Sequence, residues 1–157
     1  INSEWDTRLM AAIAKITAPH PATRPMQPLI ERGLKLHTSA FMLGRIEFAL
    51  PCYKLPLPVF VEDRMVVIET ERSFVEMISA YRHYVLKDGL QGVRGELLGY
   101  HDNGDHLLLD TRFTFEYLDG RTNHADSTRY IRMNGERLVV EMVENRTFPH
   151  HGTVAPE

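Results

Sequence analysis

The sequence predicts an α+β fold in which helices come first and an antiparallel sheet follows. In the first half of the chain, apolar residues recur at the spacing of one face of a helix. The last third carries three dipeptides that are typical of two-residue hairpin loops, Asn103-Gly104, Asp119-Gly120 and Asn134-Gly135. Three consecutive hairpins predict a four-stranded antiparallel meander, and a length of 157 residues predicts a single domain.

The composition excludes several classes of protein. It is 43% hydrophobic and 25% charged, which is typical of one soluble globular domain. A net charge of -3 without a long basic run argues against nucleic acid as a partner. The apolar stretches are far shorter than the ~18 residues of a membrane span. A lone cysteine, Cys52, excludes an intramolecular disulfide, and no signal-like segment opens the chain, so we expect a cytoplasmic protein.

The N-terminal region reads as an extension of the domain. Residues 3–17 place apolar side chains on one helical face, and the prolines after them predict a linker over 18–27. This helix could lie on its own domain or on a partner subunit. The predicted organisation is therefore a helix and linker over 1–27, the domain over 28–149 and a polar tail over 150–157.

A second helical stretch is expected from Pro28, with a break near His37 and an end at Pro51. Residues 55–61 then read as an extended segment, and their two prolines favour an edge strand. Residues 65–69 form a short β-branched run, which predicts a further strand.

The most regular helix is predicted to begin at a capping box made by Ser73 and Glu76 and to end at Gly89. Its apolar residues follow one another at spacings of four, three and four, so they share one face. They are Phe74, Ile78, Tyr81 and Val85.

Two-residue hairpin loops would fix which residues share a face of the meander. The predicted inner face carries four rows, which are Leu98, Leu109, Tyr130 and Val139; Glu96, Thr111, Thr128 and Glu141; Arg94, Phe113, Asp126 and Val143; and Phe115, His124 and Asn145. The outer face is polar except for an apolar strip on the last strand, formed by Leu138, Val140, Met142 and Phe148. That strip predicts a homodimer through the outer face of the sheet.

The polar end of the inner face is the candidate site. His124 and Asp126 would lie about 6 to 7 Å apart along one strand, with Asn145 opposite the histidine. Desolvation shifts the pKa values of such groups, which suits acid/base catalysis near neutral pH. Glu141 is a further catalytic candidate. The candidate ligand-binding residues are Asn145, Tyr130, Glu96, Phe113, Phe115 and Thr128.

No metal or cofactor is expected. His101 and His106 would face each other across a hairpin tip, but no third ligand accompanies them at a characteristic spacing. The sequence has no glycine-rich phosphate loop, no paired cysteine motif and no serine elbow.

Two segments and the helix between them carry a resemblance to a known family. They are LPLPVFVEDRMVVIETERSF and HLLLDTRFTFEYLDGRTNHADSTRYIRMNGERLVVEMVENRTF. From Pro28 to about Phe148 the chain resembles the nuclear transport factor 2-like superfamily, in particular SnoaL-like domains. The resemblance implies a cone-shaped, cystatin-like fold in which a curved sheet wraps round helices and encloses a pocket. It also implies a dimer through the sheet, and it leaves the first helix as an addition.

Members of this superfamily include ketosteroid isomerases, polyketide cyclases, dehydratases and epoxide hydrolases, together with binding modules. Fold alone does not choose among them. The first hypothesis is a homodimeric protein that binds a small apolar or polycyclic ligand. The second is a cofactor-free isomerase, cyclase or dehydratase with Asp126 or Glu141 as base and His124 or Tyr130 as acid. The third is a non-catalytic interaction module that binds a protein through the outer apolar strip.

Overall fold

The computed structural model describes residues 7–10, 26–133 and 138–147. The elements are α1 (Met26–Leu43), a 3-10 helix (Ile46–Cys52), β1 (Leu57–Val61), β2 (Arg64–Ile68), α2 (Glu71–Lys87), β3 (Leu90–Asp102), β4 (His106–Tyr117), β5 (Thr122–Met133) and β6 (Leu138–Thr147). The strands form one six-stranded sheet in the order β2-β1-β6-β5-β4-β3. β1 and β6 pair in parallel and every other pair is antiparallel, which confirms the α+β class and the meander.

The part of the N-terminal segment that the structure describes, residues 7–10, is helical. Leu9 is buried there against Leu36 and Cys52. This helix therefore packs on its own domain. The rest of the predicted helix and linker, residues 1–6 and 11–25, lies outside the described residues. The predicted tail over 150–157 lies outside them too.

The predicted break near His37 is wrong, because α1 runs through that residue without interruption. The helix ends before Gly44, whose φ of 72° is a left-handed conformation that favours glycine. Arg82 of α2 donates to the carbonyls of Phe41 and Met42 over 2.6 and 2.9 Å, which satisfies groups that a helix end leaves without partners. Pro51 lies inside the following 3-10 helix and does not end it.

β1 is not the edge strand that its prolines predicted. It lies between β2 and β6, and the outermost strand on this side is β2. Pro58 is opposite Val67 of β2, whereas the pairing with β6 begins only at Val59. The missing N–H of Pro58 therefore costs no ladder bond to β6.

α2 confirms the predicted helix with a different cap. The helix begins at Glu71, and the N-cap is Thr70, whose hydroxyl accepts the N–H of Ser73 over 3.1 Å. The capping interaction therefore lies three residues before the predicted box. Gly89 follows the helix with a φ of 99°, as its position predicted.

The loop between β4 and β5 is one residue longer than predicted. The N–H of Tyr117 donates to Arg121 over 3.0 Å, and that of Gly120 donates to Tyr117 over 2.9 Å. Residues 118–120 therefore form a three-residue loop, with Gly120 at a φ of 89°. Because side chains alternate along a strand, this one-residue slip turns every side chain of β5 to the face opposite the predicted one.

The other two predicted registers are also wrong. Asp102 pairs with Leu107, so the first reversal is centred one residue later than Asn103-Gly104. Met133 pairs with Leu138, which leaves four residues between the strands where two were expected, and Asn134-Gly135 itself lies outside the described residues. Bulges between Leu97 and Gly99 and between Tyr130 and Ile131 shift the ladders further. Such bulges bend a sheet, and they give this one its curvature.

The main core lies between α1 and the middle of the sheet, where Leu29, Ile30 and Leu34 pack against Leu107 and Leu109. None of the helices in the described part of the chain combines the length and the apolar character that crossing a membrane requires.

Candidate functional site

The helices and the inner face of the sheet line a partly open cavity of about 370 Å³, a size within the range of small-molecule sites. Its apolar walls come from both helices and from every strand. They are Ala40, Phe41, Ile46, Ala49, Leu57, Val59, Val61, Ile68, Phe74, Met77, Ile78, Val93, Phe113, Phe115, Ala125 and Val143. The other lining residues are His37, Thr38, Tyr53, Tyr81, Ser127, Arg129 and Asn145. Among the described residues, the lining therefore contains no carboxylate.

Three of the polar residues form a contiguous cluster, which we call the polar cluster: His37 on α1, Tyr53 after the 3-10 helix and Arg129 on β5. The Nη1 of Arg129 donates to the hydroxyl of Tyr53. The ring centroids of Tyr53 and His37 lie 5.6 Å apart in an edge-on arrangement. One side of an apolar cavity thus carries a cation, a hydroxyl and an imidazole.

Arg129 has aromatic neighbours and no acid. Its guanidinium carbon lies 5.9 Å from the ring centroid of Tyr53 and 5.4 Å from that of Phe113, within the range of cation–π attraction. In the described part of the chain no carboxylate forms an ion pair with it. Its Nε is buried and has no hydrogen-bond acceptor among the residues that the structure describes. A positive charge therefore lines the cavity with one donor unused.

His37 is held in one tautomer. Its Nδ1 lies 2.7 Å from the carbonyl oxygen of Gly33, and since a carbonyl only accepts, Nδ1 carries the proton. Burial, reinforced by the charge of Arg129, lowers the pKa of His37 to about 4, so the ring is neutral near neutral pH. Its buried Nε2, which has no partner, then carries a lone pair that can accept a hydrogen bond.

The other polar groups nearby are inert. Thr111 is fully buried, and its hydroxyl lies 3.1 Å from that of Ser127. Burial raises the pKa of the Cys52 thiol to about 11, which leaves it protonated and unreactive. Burial likewise raises the pKa of the Tyr81 hydroxyl.

His124 and Asp126 do not line the cavity, because the slip of β5 places both on the outer face. His124 is exposed. Asp126 forms a two-pronged ion pair with Arg112, with distances of 2.8 and 2.9 Å. These hydrogen bonds hold the pKa of Asp126 below its usual range, so it is an anion that is already paired. The predicted inward orientation of the two residues is wrong.

Glu141 also lies with the outer-face charges. Arg132 and His106 contact the same carboxylate oxygen at 2.8 and 3.0 Å, and Lys54 lies 3.5 Å from the other. Burial opposes ionisation, but the hydrogen bonds from Arg132 and His106 outweigh it and lower the pKa of Glu141. His106 is thus engaged by a carboxylate, and in the described residues no group of three potential metal ligands gathers around it or elsewhere.

The remaining predicted ligand-binding residues divide between the two faces. Tyr130 donates to Glu144 over 3.3 Å, Thr128 donates to Asp110 over 2.8 Å, and Glu96 is exposed, so the predicted inward orientation of all three is wrong. Phe113, Phe115 and Asn145 do line the cavity. Their part in binding a ligand stays a prediction.

The outer apolar strip is not formed as predicted. Leu138 and Val140 are buried in the core, because the register turns them inward. Tyr130 pairs with Met142 rather than with the predicted Val139, and Phe148 lies outside the described residues.

Sequence reasoning missed the polar cluster. The register of two-residue loops predicts Arg129 on the outer face of the sheet. One signal favours the opposite orientation: positions 125, 127 and 131 of its row are small or apolar, whereas the alternate row carries His124, Asp126 and Arg132. The second row suits solvent better. No pattern in the sequence connects His37 or Tyr53 with Arg129.

No protein-family model matches the sequence, and no curated protein matches it. Solved structures do match its fold. A domain of unknown function with a cystatin-like fold from Nostoc punctiforme PCC 73102 is 13% identical, with a TM-score of 0.62, covering 80% of each chain. A nuclear transport factor 2-like protein of unknown function from Shewanella oneidensis MR-1 is 17% identical, with a TM-score of 0.56, covering 74% of this chain and 94% of that one.

A third structure is a protein from Xanthomonas campestris named for the association domain of calcium/calmodulin-dependent protein kinase II. It is 11% identical, with a TM-score of 0.53, and the match covers 85% of this chain and 95% of that one. At these identities the similarity shows the fold and no activity. The chain has the nuclear transport factor 2-like fold that its sequence resemblance predicted.

Proposed function

We propose that this chain, with its nuclear transport factor 2-like fold, is a binding protein for a small, largely apolar ligand. The observation that carries the proposal is the cavity of about 370 Å³, with an apolar wall and one polar cluster. A large apolar cavity with a few convergent polar groups is the usual form of a small-molecule site. The apolar wall would supply affinity, and the polar cluster would orient the ligand.

The enzymatic alternative is an isomerase, cyclase or dehydratase that works without a cofactor. Its predicted bases, Asp126 and Glu141, are paired with arginines on the outer face. One observation still supports the enzymatic alternative. The Nε2 atom of His37, a residue that lines the cavity, is buried and has no hydrogen-bond partner among the described residues, so its lone pair is available. Proton abstraction would then rest on His37, with Arg129 stabilising the negative charge that forms.

Two further proposals concern the setting of the protein. We propose that two copies associate through the outer face of the sheet, in the cytoplasm. Leu98, which is 48% exposed at a register shift of the outermost strand β3, and Met142, which pairs with Tyr130, are the apolar residues that support association. A Leu98→Glu variant that sediments as a monomer where the parent is a dimer would support it. A monomeric parent would contradict the homodimer and would leave this face free for another protein, as the interaction-module hypothesis requires.

The binding proposal is tested with N-phenyl-1-naphthylamine, a neutral fluorophore that brightens in apolar surroundings. We expect saturable binding of one fluorophore per chain. Ala125→Phe should weaken it at least about tenfold, because Ala125 lines the cavity and the larger side chain takes up part of the space. Val61→Phe, at a second lining position, gives the same test if the first variant does not fold.

The matched control is His124→Phe, which adds an aromatic ring to the adjacent residue on the outer face of the same strand. Its binding should equal that of the parent. No saturable binding by the parent, or equal binding by all variants, would contradict a ligand site in the cavity.

A further inference from the structure

We propose that the ligand is a monoanion with an apolar body, such as an aromatic or aliphatic carboxylate, and that Arg129 binds its charge. This inference rests on the proposed function, since it specifies the ligand of the same cavity. Three observations support it. Arg129 has no counter-ion among the described residues, its guanidinium has an unused donor, and the rest of the cavity wall is mainly apolar.

The first step is the cost of partly burying the Arg129 cation without a counter-ion. Removing a charge from water is expensive unless an opposite charge or hydrogen bonds compensate it. Arg129 lines the cavity, and in the described part of the chain no carboxylate pairs with it. On the outer face, by contrast, Arg94, Arg112, Arg132 and Arg146 each contact a carboxylate within 3.3 Å. An anionic ligand would supply the missing partner.

The second step is the placement of the guanidinium. Its Nη1 donates to Tyr53, and the rings of Tyr53 and Phe113 lie beside it. These contacts fix the group, so little conformational freedom is lost when a ligand binds. The Nε–H is buried and has no acceptor in the described part of the chain. A carboxylate is one of the anions whose geometry matches the planar donor set of arginine, and such charge-assisted bonds are the strong ones.

The third step limits the charge and the body of the ligand. Among the described residues, Arg129 is the only lysine or arginine that lines the cavity, and His37 is neutral near neutral pH. A polyphosphate or a nucleotide would bring more negative charge than this site can balance. A sugar would need more hydrogen-bonding partners than the mainly apolar wall offers. One charge on a hydrophobic skeleton fits the site.

The experiment uses the full chain with N-phenyl-1-naphthylamine bound in the cavity. Two competitors with the same ring system are compared near neutral pH: 1-naphthoate, which is an anion, and 1-naphthalenemethanol, which is neutral. We expect naphthoate to displace the fluorophore at concentrations at least about tenfold lower. In Arg129→Met the fluorophore should still bind, and the preference for naphthoate should disappear.

Arg94→Met is the control for net charge, because it removes an arginine from the outer face, where Arg94 is paired with Glu116. It should keep the parental preference. Equal displacement by the two competitors in the parent, or an unchanged preference in Arg129→Met, would overturn the inference while the binding function stands. If Arg129→Met does not fold, Arg129→Gln gives the same test: the fluorophore should still bind, and the preference for naphthoate should disappear. Failure of the fluorophore to bind would instead remove the proposed function.

Discussion

The arginines on the two faces of the sheet differ in whether a carboxylate lies beside them. On the outer face, Arg94, Arg112, Arg132 and Arg146 lie beside carboxylates and form a layer of ion pairs. On the inner face, Arg129 lines an apolar cavity and has no acidic partner in the described part of the chain. Thr128 and Tyr130, its neighbours in sequence, both contact carboxylates of the outer face. Consecutive residues of one strand thus have side chains in contrasting electrostatic environments.

This contrast distinguishes arginines that need no ligand from an arginine whose charge a ligand would balance. Ion pairs near the surface contribute little to the free energy of folding, and they need no ligand. A partly buried cation without a counter-ion loses part of its hydration, which does not favour folding. Its presence is explained by a ligand more readily than by stability, and the variants below test the comparison.

The largest effect is expected where the inner face has no spare room. Gly95 of β3 lies opposite Phe113, and a Cβ at this position would be 2.9 Å from that ring and 3.3 Å from Leu34 of α1. Gly95→Ala should therefore lower the free energy of unfolding by up to about 3 kcal/mol, since overpacking forces neighbouring groups to move. Denaturant unfolding monitored by circular dichroism measures this.

Gly99→Ala is the matched control on the same strand, because a Cβ there meets no atom within 4 Å. We expect its free energy of unfolding to stay within about 0.5 kcal/mol of the parent. Equal losses for the two variants would mean that the inner face is not the tightly packed one.

Local sequence signals predicted the elements well. The stripe of Phe74, Ile78, Tyr81 and Val85 identified α2, and the residue pairs ending in glycine located the reversals of the meander. Both signals act over a few residues, where backbone preferences dominate. The break assigned near His37 failed, because tertiary packing carries α1 on to Gly44.

The site could not be predicted in the same way, because it depends on register. An Asp-Gly pair fits a two-residue loop and also the three-residue loop seen at Gly120, and the two differ by one residue. That difference moved Asp126 outward and Arg129 inward. The contact of Tyr53 with Arg129 joins residues 76 positions apart, which no local pattern specifies.

The second effect is a dependence of stability on pH that comes from His37. Its pKa is about 4 in the fold and about 6.5 in the unfolded chain. The unfolded chain therefore binds the proton first, and stability falls as the pH drops from about 6.5 to 4. Because His37 is only partly buried as a residue, we expect a loss of about 2 kcal/mol over this window.

His37→Gln should flatten the profile in that window, and unfolding at a series of pH values measures it. His124→Gln, at the exposed histidine on the outer face, is the control and should keep the parental slope. A parental slope in His37→Gln would mean that other groups cause the pH dependence.

The smallest effect makes the sharpest comparison, because it removes one arginine from each face. Arg112→Met takes away both hydrogen bonds that Asp126 receives from it, so the midpoint of thermal unfolding should fall, and by less at high salt, which screens the pair. Arg129→Met removes a cation without a counter-ion, so in the absence of ligand the midpoint should stay constant or rise. A fall in Arg129→Met at least as large as that in Arg112→Met would show that Arg129 stabilises the fold. The absence of an acid beside it would then no longer point to an anionic ligand.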